Sequence, residues 1–201
     1  MTSAGDRDRL DDPARDREFK AVLVTLIPQL RAFARTLTGD ATAADDLAQE
    51  AMMKAWDARA GFEMGTNMKA WTFMILRNQF YSEKRRSWRQ TSLDQEAAER
   101  TLVATDDPAA PVALDEVRLA LAMLPSEQRE AVVLVGAGGF AYEEAAEICG
   151  CAVGTVKSRV SRARRALQAI LDHGAYDRDG AAAGGAMSDI LAQAERLSHR
   201  R

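Results

Sequence analysis

The sequence has few of the residues from which metal and catalytic sites are usually built. It contains two cysteines and two histidines in 201 residues. Cys149 and Cys151 are one residue apart, which is poor spacing for a structural disulfide, and no second cysteine pair is present to complete a zinc site. We therefore expect no metal and no cofactor, and we interpret both cysteines as small, buried turn residues.

Recognisable catalytic and membrane-spanning segments are also missing. The sequence has no glycine-rich phosphate loop before a helix, no nucleophile elbow and no HExxH motif, so we do not expect an enzyme. It has neither a secretory signal nor an apolar run long enough to cross a bilayer, which predicts a cytoplasmic protein without a membrane partner. Aromatic residues make up only 6% of the chain, and a composition rich in Ala, Leu, Arg and Glu favours helix bundles over sheets.

Charge is balanced overall but unevenly distributed. The net charge is -3, which by itself does not suggest a nucleic-acid-binding protein. The local field matters more for phosphate attraction than the total, however, so DNA binding is not excluded. The cations form two runs separated by an acidic stretch: Arg77, Lys84, Arg85, Arg86 and Arg89 in the first run, and Lys157, Arg159, Arg162, Arg164 and Arg165 in the second.

Hydrophobic periodicity predicts an all-α protein with two small helical domains joined by a flexible acidic linker. We predict a mobile N-terminal arm at 1–16, a first domain at 17–89, the linker at 90–112, a second domain at 113–173 and a C-terminal tail at 174–201.

In the first domain the apolar spacing predicts three helices. The first begins near Phe19, with Pro28 as a kink or break, the second runs from about Thr42 to Arg59, and the third runs from about Met68 to Arg86. In the second domain, Pro125 ends one helix and Ser126 begins the next.

The stretch from Ala141 to Leu167 has the order of a helix-turn-helix, with Gly150 at the turn and small alanines before it. In its second helix Val156, Val160 and Ala163 lie on an apolar stripe that Leu167 continues. The opposite face is basic and polar, as in a recognition helix that reads base edges in the major groove. The alternative is a solvated basic helix. The candidates for base contacts are Thr155, Lys157, Ser158, Ser161 and Arg162.

The first basic run alternates with aromatic residues, a mixture that suits unpaired DNA, although such a run can also be a solvated helix end. The preceding loop, from Glu63 to Asn67, could hold an extruded base or be only a turn. Trp71 and Asn78, seven residues apart, share a helix face; the alternative is a core tryptophan beside a hydrogen-bonded asparagine.

An acidic face is predicted on the second helix. Asp45, Asp46, Gln49 and Glu50 lie there, with Met53 beside them. Negative charge repels phosphate, so this face is either a protein contact or simply solvated.

Several of these segments together resemble one known family. DDLAQEAMMKAW at 45–56, NMKAWTFMILRNQFYSEKRR at 67–86, and LPSEQREAVVLV followed by EEAAEICGCAVGTVKSRVSRAR resemble the two conserved regions of extracytoplasmic-function RNA polymerase sigma factors. Two segments, FEMGTNMKAW at 62–71 and EEAAEICGCAVGTVKSRV at 143–160, are similar in sequence to the EcfG-like general stress response branch of alphaproteobacteria.

The resemblance implies a sigma factor that directs RNA polymerase to stress-response promoters and initiates transcription there. Its implied partners are core RNA polymerase, promoter DNA, a NepR-like anti-sigma factor and, indirectly, a PhyR-like response regulator. It implies that core polymerase binds Asp46, Gln49, Glu50 and Met53. The residues implied to bind the minus-ten element are Asn67, Lys69, Trp71, Asn78, Lys84, Arg85 and Arg86, with the Glu63 to Asn67 loop. Those implied to bind the minus-thirty-five element are Tyr142, Thr155, Lys157, Ser158, Arg159, Ser161, Arg162 and Arg164.

Two other functions remain open at this point. A sigma-like decoy would sequester an anti-sigma factor without binding DNA, and would not need the two basic runs. A dimeric transcriptional regulator would bind a palindrome, but the sequence offers no evident dimerisation helix.

Overall fold

The computed structural model describes residues 12–91 and 112–173, with side chains at 12–89 and 116–172. Within these ranges the regular structure is entirely helical, as predicted. The predictions for the linker at 92–111, for the tail from residue 174 and for the first eleven residues of the arm lie outside the described ranges.

Helix α1 spans Pro13–Thr25, so residues 13–16 are helical and the predicted arm was too long. The helix begins there because the Asp12 side chain accepts hydrogen bonds from the backbone N–H of Ala14 and Arg15, and proline is favoured in a first turn. The Arg15 guanidinium also donates to the carbonyl oxygens of Arg59 and Phe62, at 3.0 and 2.6 Å. These contacts fix the first turn against the rest of the domain.

The break expected at Pro28 falls two residues earlier, at Leu26. Helix α2 spans Ile27–Thr38 and has Pro28 in its first turn, where a missing N–H costs nothing. Gly39 ends α2 with a φ of 74°, the left-handed conformation that glycine adopts without strain. The chain therefore forms two separate helices where the sequence allowed one kinked helix.

Helix α3 spans Ala41–Asp57 and helix α4 spans Met68–Thr91, with a short 3-10 turn at Arg59–Gly61 between them. Helix α4 ends five residues beyond the prediction, since its last turns are polar and carry no periodic signal. The core of the first domain is formed by buried side chains from all four helices, among them Phe19, Leu23, Leu30, Phe33, Leu47, Ala51, Ala55, Phe73 and Leu76.

Four more helices form the second domain. They are α5 at Val112–Ala122, α6 at Ser126–Gly136, α7 at Tyr142–Cys149 and α8 at Val153–His173. Helix α8 packs against α5, α6 and α7, and its buried face is Val156, Val160, Ala163 and Ile170.

The two domains pack against each other through α4 with α7 and through α2 with α6. At the centre of this contact, the rings of Phe73 and Phe140 meet edge to face with centroids 5.0 Å apart. Both side chains are buried and belong to one continuous apolar cluster. None of the described helices is long and apolar enough to span a bilayer.

Candidate nucleic-acid interface

The helix-turn-helix between α7 and α8 turns at Gly150. This residue has a φ of 62°, and its N–H donates to the carbonyl oxygens of Ala146 and Glu147. The next N–H, of Cys151, donates to the same Ala146 oxygen at 3.1 Å, which closes the helix end. Ala145 and Ala146 are buried, so small side chains allow the close approach of the two helices. The turn has the glycine conformation that the sequence predicted.

Helix α8 divides into a packed face and a free face. Val156, Val160 and Ala163 are fully buried, and Leu167 is partly buried. Opposite them, five of the predicted DNA-contacting side chains are exposed, and Thr155 is half-buried. The exposed side chains are those of Lys157, Ser158, Ser161, Arg162 and Arg164.

Tyr142 and Arg159, two of the residues predicted for the minus-thirty-five element, have partners within the domain. The Nζ of Lys157 lies 5.7 Å from the centre of the Tyr142 ring, so the two side chains form one polar edge. Arg159 donates to the Glu127 carboxylate at 2.5 Å and lies 3.6 Å from the Cys151 sulfur. Arg159 is therefore half-buried and fixed between α6 and α8.

The thiol next to the turn is shielded from water. Cys149 is buried, and burial, together with the nearby negative charge of Glu130, raises the pKa of this thiol to about 12. Cys149 is thus a small buried residue at the turn, as predicted, whereas Cys151 is only half-buried.

The loop before α4 is an ordered turn. Gly65 has a φ of 91°, and the Thr66 hydroxyl donates to the Glu63 carbonyl oxygen at 2.7 Å. Asn67 caps α4, because its Oδ1 accepts from the Ala70 N–H at 3.0 Å. This loop therefore presents its residues from the start of a helix.

Two predicted minus-ten residues are engaged by the second domain. The Asn67 Nδ2 donates to Oε1 of Glu144 at 2.5 Å, and the Lys69 Nζ donates to the Gly138 carbonyl oxygen at 2.6 Å. Lys69 also lies 4.8 Å from the centre of the Phe140 ring. The structure thus brings these residues to the contact between the domains.

The other predicted residues of α4 lie in two different environments. Trp71 is half-buried and packs against Phe62 and Phe19, with centroid distances of 4.9 and 6.1 Å. Asn78 is exposed, and so are Lys84, Arg85 and Arg86 near the end of the helix. Trp88, in the same basic run, is 68% exposed.

Sequence reasoning missed a buried carboxylate at this contact. Glu130 of α6 is fully buried, and it accepts hydrogen bonds from the guanidinium of Arg77 and, at 3.2 Å, from the hydroxyl of Tyr81. Burial raises the pKa of Glu130, while the charge of Arg77 opposes that rise. One signal was available in the sequence: Glu130 precedes the buried Leu134 by four residues, so it shares the inward face of α6.

The acidic face of α3 is exposed, although Asp45 is paired with Arg31 and the Glu50 carboxylate lies 3.5 Å from the Lys54 ammonium. Asp46, Gln49, Glu50 and Met53 are all exposed, the last at 59%. Beside them lies an open groove of about 620 Å³ between α1, α2 and α3. Its apolar lining is Leu23, Val24, Ile27, Met52, Met53 and Trp56.

Comparisons with known proteins agree with this architecture. Residues 23–90 match the model of sigma-70 region 2, and residues 114–167 match that of sigma-70 region 4. Each helical domain therefore corresponds to one promoter-recognition region of the sigma-70 class.

Individual relatives narrow the assignment within the sigma-70 class. The chain is 48% identical to the ECF RNA polymerase sigma factor EcfG of Rhodopseudomonas palustris over 81% of this chain and 87% of that protein. It is 36% identical to the ECF RNA polymerase sigma factor SigC of Mycobacterium tuberculosis, over 65% of this chain and 71% of that one. The chain belongs to the extracytoplasmic-function RNA polymerase sigma factors and resembles their EcfG branch.

Two solved structures share the fold. One is the sigma factor RpoE of Bartonella quintana in complex with the anti-sigma factor NepR, with a TM-score of 0.71, 46% identity, and coverage of 78% of this chain and 98% of that chain. The other is CnrH in complex with the cytosolic domain of CnrY, with a TM-score of 0.59, 26% identity, and coverage of 84% and 95%.

Proposed function

We propose that this protein directs RNA polymerase to stress-response promoters in the cytoplasm and is held inactive there by a NepR-like anti-sigma factor. The observation that carries the DNA-binding part is the division of α8 into a packed apolar face and an exposed basic face, directly after a glycine turn. The similarity to EcfG and to a NepR-bound sigma factor supports the stress-response branch and the inhibitor.

In this proposal the second domain reads the minus-thirty-five element. The exposed Lys157 and Arg162 of α8 donate to guanine edges or to phosphates, and the hydroxyls of Ser158 and Ser161 can serve either role. Each good base contact contributes about 1 to 3 kcal/mol, and phosphate contacts add affinity that falls with salt. Tyr142, Arg159 and Arg164 lie at the edge of this face and are assigned to the DNA backbone.

The first domain supplies two further surfaces. The start of α4 and its capping loop are assigned to the minus-ten element, and the exposed cations near the end of α4 to the melted strand's backbone. The acidic face of α3, with Met53 and the adjoining groove, is assigned to core polymerase. The polymerase performs the chemistry, and this subunit selects the promoter and stabilises its opening.

Transcription with core polymerase tests the central claim. The purified chain should support initiation from a subset of a promoter library, whereas core polymerase alone should not. A protein that bound a NepR-like inhibitor tightly but never supported initiation would be a decoy, and the proposal would be wrong.

A substitution tests the assignment of surfaces. Arg162→Ala should reduce discrimination at the minus-thirty-five element by about tenfold, the value of one good base contact, and leave polymerase affinity unchanged. Arg165→Ala is the matched control, because Arg165 is an exposed cation on the same helix but is not assigned to DNA. Loss of polymerase binding in Arg162→Ala would show that the surfaces are divided differently.

A further inference from the structure

A small pocket of about 220 Å³ lies between the two domains, at a place that neither the promoter nor the polymerase assignment uses. Its walls come from the last turns of α2 in the first domain and from α5 and α6 in the second. Three of the residues that line it are arginines: Arg35 on α2, Arg118 on α5 and Arg129 on α6. The described lining residues include no carboxylate, so the described walls of the pocket carry only positive charge.

Arg129 is the most enclosed of these three arginines. The residue is 8% exposed, and its Nη1 donates to the Ala122 carbonyl oxygen at 3.2 Å, which fixes the guanidinium against the last turn of α5. No other hydrogen bond joins this guanidinium to the residues that the structure describes. Because a guanidinium has five N–H donors, several of them remain to meet a ligand in the pocket.

A second shielded arginine shows what Arg129 lacks. Burial by itself lowers the pKa of both Arg77 and Arg129. At Arg77 the carboxylate of Glu130 outweighs this effect and raises the pKa, whereas at Arg129 no described carboxylate opposes burial and the pKa is lowered. Since buried charges in proteins are normally paired, an anion in the pocket would supply the negative charge that the described residues do not.

The shape of the pocket and its donors suit phosphate oxygens. A guanidinium is a planar fork that donates two parallel hydrogen bonds to a phosphate group. Several of the other lining residues are small, among them Ala32, Gly39 and Ala122, so they do not fill the space between the arginines. The volume is below the roughly 300 to 1,000 Å³ of pockets that enclose drug-sized ligands, so we expect it to hold a small group.

Charge distinguishes one phosphoryl group from two. A single phosphate monoester carries about −1.5 to −2 charges at pH 7, which is less than three guanidiniums supply. Two linked phosphoryl groups balance three cations more closely. We propose that this pocket binds the diphosphate group of a small ligand, with Arg35, Arg118 and Arg129 as its donors.

The ligand would contact both domains, because Arg35 belongs to the first and Arg118 and Arg129 belong to the second. A ligand that binds only this arrangement stabilises it increasingly as the ligand concentration rises. The site does not depend on the assignment of α4 and α8 to DNA, so the promoter proposal and this one can fail separately.

Calorimetric titration of the full chain tests the site. Inorganic pyrophosphate is the probe, in magnesium-free buffer at fixed ionic strength. Orthophosphate, with one phosphoryl group, and succinate, with two carboxylates, are the comparison anions. We expect pyrophosphate to bind at least about tenfold more tightly than either, because it can engage more of the guanidinium donors, and to raise the midpoint of thermal unfolding.

The test variants are Arg35→Gln and Arg118→Gln, one from each domain. Both side chains are half-buried, so we expect the fold to survive. The matched control is Arg31→Gln, which removes an exposed cation of α2 that is bonded to Asp45 and does not line the pocket. Each test variant should weaken pyrophosphate binding about tenfold or more, and the control should weaken it less than about twofold.

Three results would overturn the proposal. The first is wild-type binding of pyrophosphate that is no tighter than binding of orthophosphate. The second is an equal loss in the control and the test variants, which would indicate diffuse attraction to a positive surface. The third is a loss in only one test variant, because the site would then not span both domains. If a test variant does not fold, as judged by circular dichroism, Arg35→Lys keeps the charge but removes the planar fork, and it should still weaken binding more than Arg31→Lys does.

Titration with nucleotides distinguishes two sources of a diphosphate group. Adenosine and guanosine 5′-diphosphate carry the same group as part of a larger molecule. Tighter binding of either nucleotide than of pyrophosphate would identify a nucleotide as the ligand, since the base or ribose would then add contacts outside the pocket. Weaker binding of both nucleotides would identify the inorganic anion. Both results support the site, because both require the diphosphate group.

Discussion

Helices α4 and α8 carry similar chemistry but differ in their surroundings. Both present lysine, arginine and small polar side chains of the kind that contacts DNA. The polar face of α8 points to solvent, and its side chains make few contacts beyond their own motif. The corresponding face of α4 is engaged at its start by Glu144 and the Gly138 carbonyl oxygen, and near its middle by Glu130.

The comparison separates two requirements of promoter recognition. A recognition helix can be ready for duplex DNA in the free protein, because duplex is always present and non-specific contact is weak. The surface at the start of α4, which we propose for the minus-ten element, is instead engaged by the second domain through Asn67 and Lys69. In this molecule the difference arises from packing and not from composition.

The largest expected effect comes from removing the apolar centre of the covered face. Phe140→Ala should lower the free energy of unfolding by about 3 kcal/mol or more, because it deletes a buried ring that packs against Phe73. Urea denaturation measures the loss. Trp88→Ala, at an exposed position of α4, should change stability by less than about 0.5 kcal/mol. Similar small losses in both variants would mean that α4 is not held by this contact.

Replacing either of two glycines with alanine should change stability by an intermediate amount, and the two changes should have opposite signs. A Cβ at Gly138, beside the covered face, would lie 2.5 Å from the Leu134 carbonyl oxygen and 2.9 Å from the Phe140 ring, so Gly138→Ala should cost about 1 to 3 kcal/mol. A Cβ at Gly154, in the first turn of α8, meets nothing within 4 Å, and Gly154→Ala should stabilise the fold by about 0.4 to 1 kcal/mol. Thermal unfolding of both variants without DNA checks this pair. Stabilisation by Gly138→Ala would contradict the close approach of the loop to α6.

A loss of stability in alkali is expected from two shielded groups. Burial, with the charge of Glu130 in second place, raises the pKa of Tyr81 from 10.0 to about 12 and that of Cys149 from 9.0 to about 12. At a pH between the ordinary and the raised pKa of each group, the unfolded chain has released a proton that the folded chain keeps. Stability therefore falls as the pH rises above about 9. Urea midpoints between pH 8 and 11 measure the slope.

Single substitutions separate the contributions of Cys149 and Tyr81 to this fall of stability with pH. Cys149→Ala should flatten its lower part, at the turn before α8, and Tyr81→Phe its upper part, at the covered face of α4. An unchanged slope in both variants would show that neither group is shielded as the structure indicates.

Local features of the fold were predictable from the sequence. The helical class, the turn at Gly150 and the buried stripe of α8 follow from periodicity and from one glycine, and the structure confirms them. The first turn of α1 was missed although Asp12 and Pro13 form a local start signal. The contacts that hold this turn could not be predicted, because Arg15 donates to carbonyl oxygens more than forty positions away, at Arg59 and Phe62.

The contact between the domains could not be predicted from the sequence. Asn67 and Glu144 are 77 residues apart, and each reads as an ordinary helix-start residue in its own segment. Glu130 could have been flagged as a charge on an inward face, but its partners Arg77 and Tyr81 could not be named. Periodicity describes one helix at a time, whereas this surface depends on how two domains meet.

The shielded Cys149 has a consequence for oxidising stress. Only the thiolate reacts readily with peroxide, and burial raises the pKa of Cys149 to about 12, so very little thiolate is present at pH 7. Cys149 should therefore resist conversion to sulfenic acid. The packing of Cys149 at the end of α7 would therefore persist under conditions that modify more reactive cysteines.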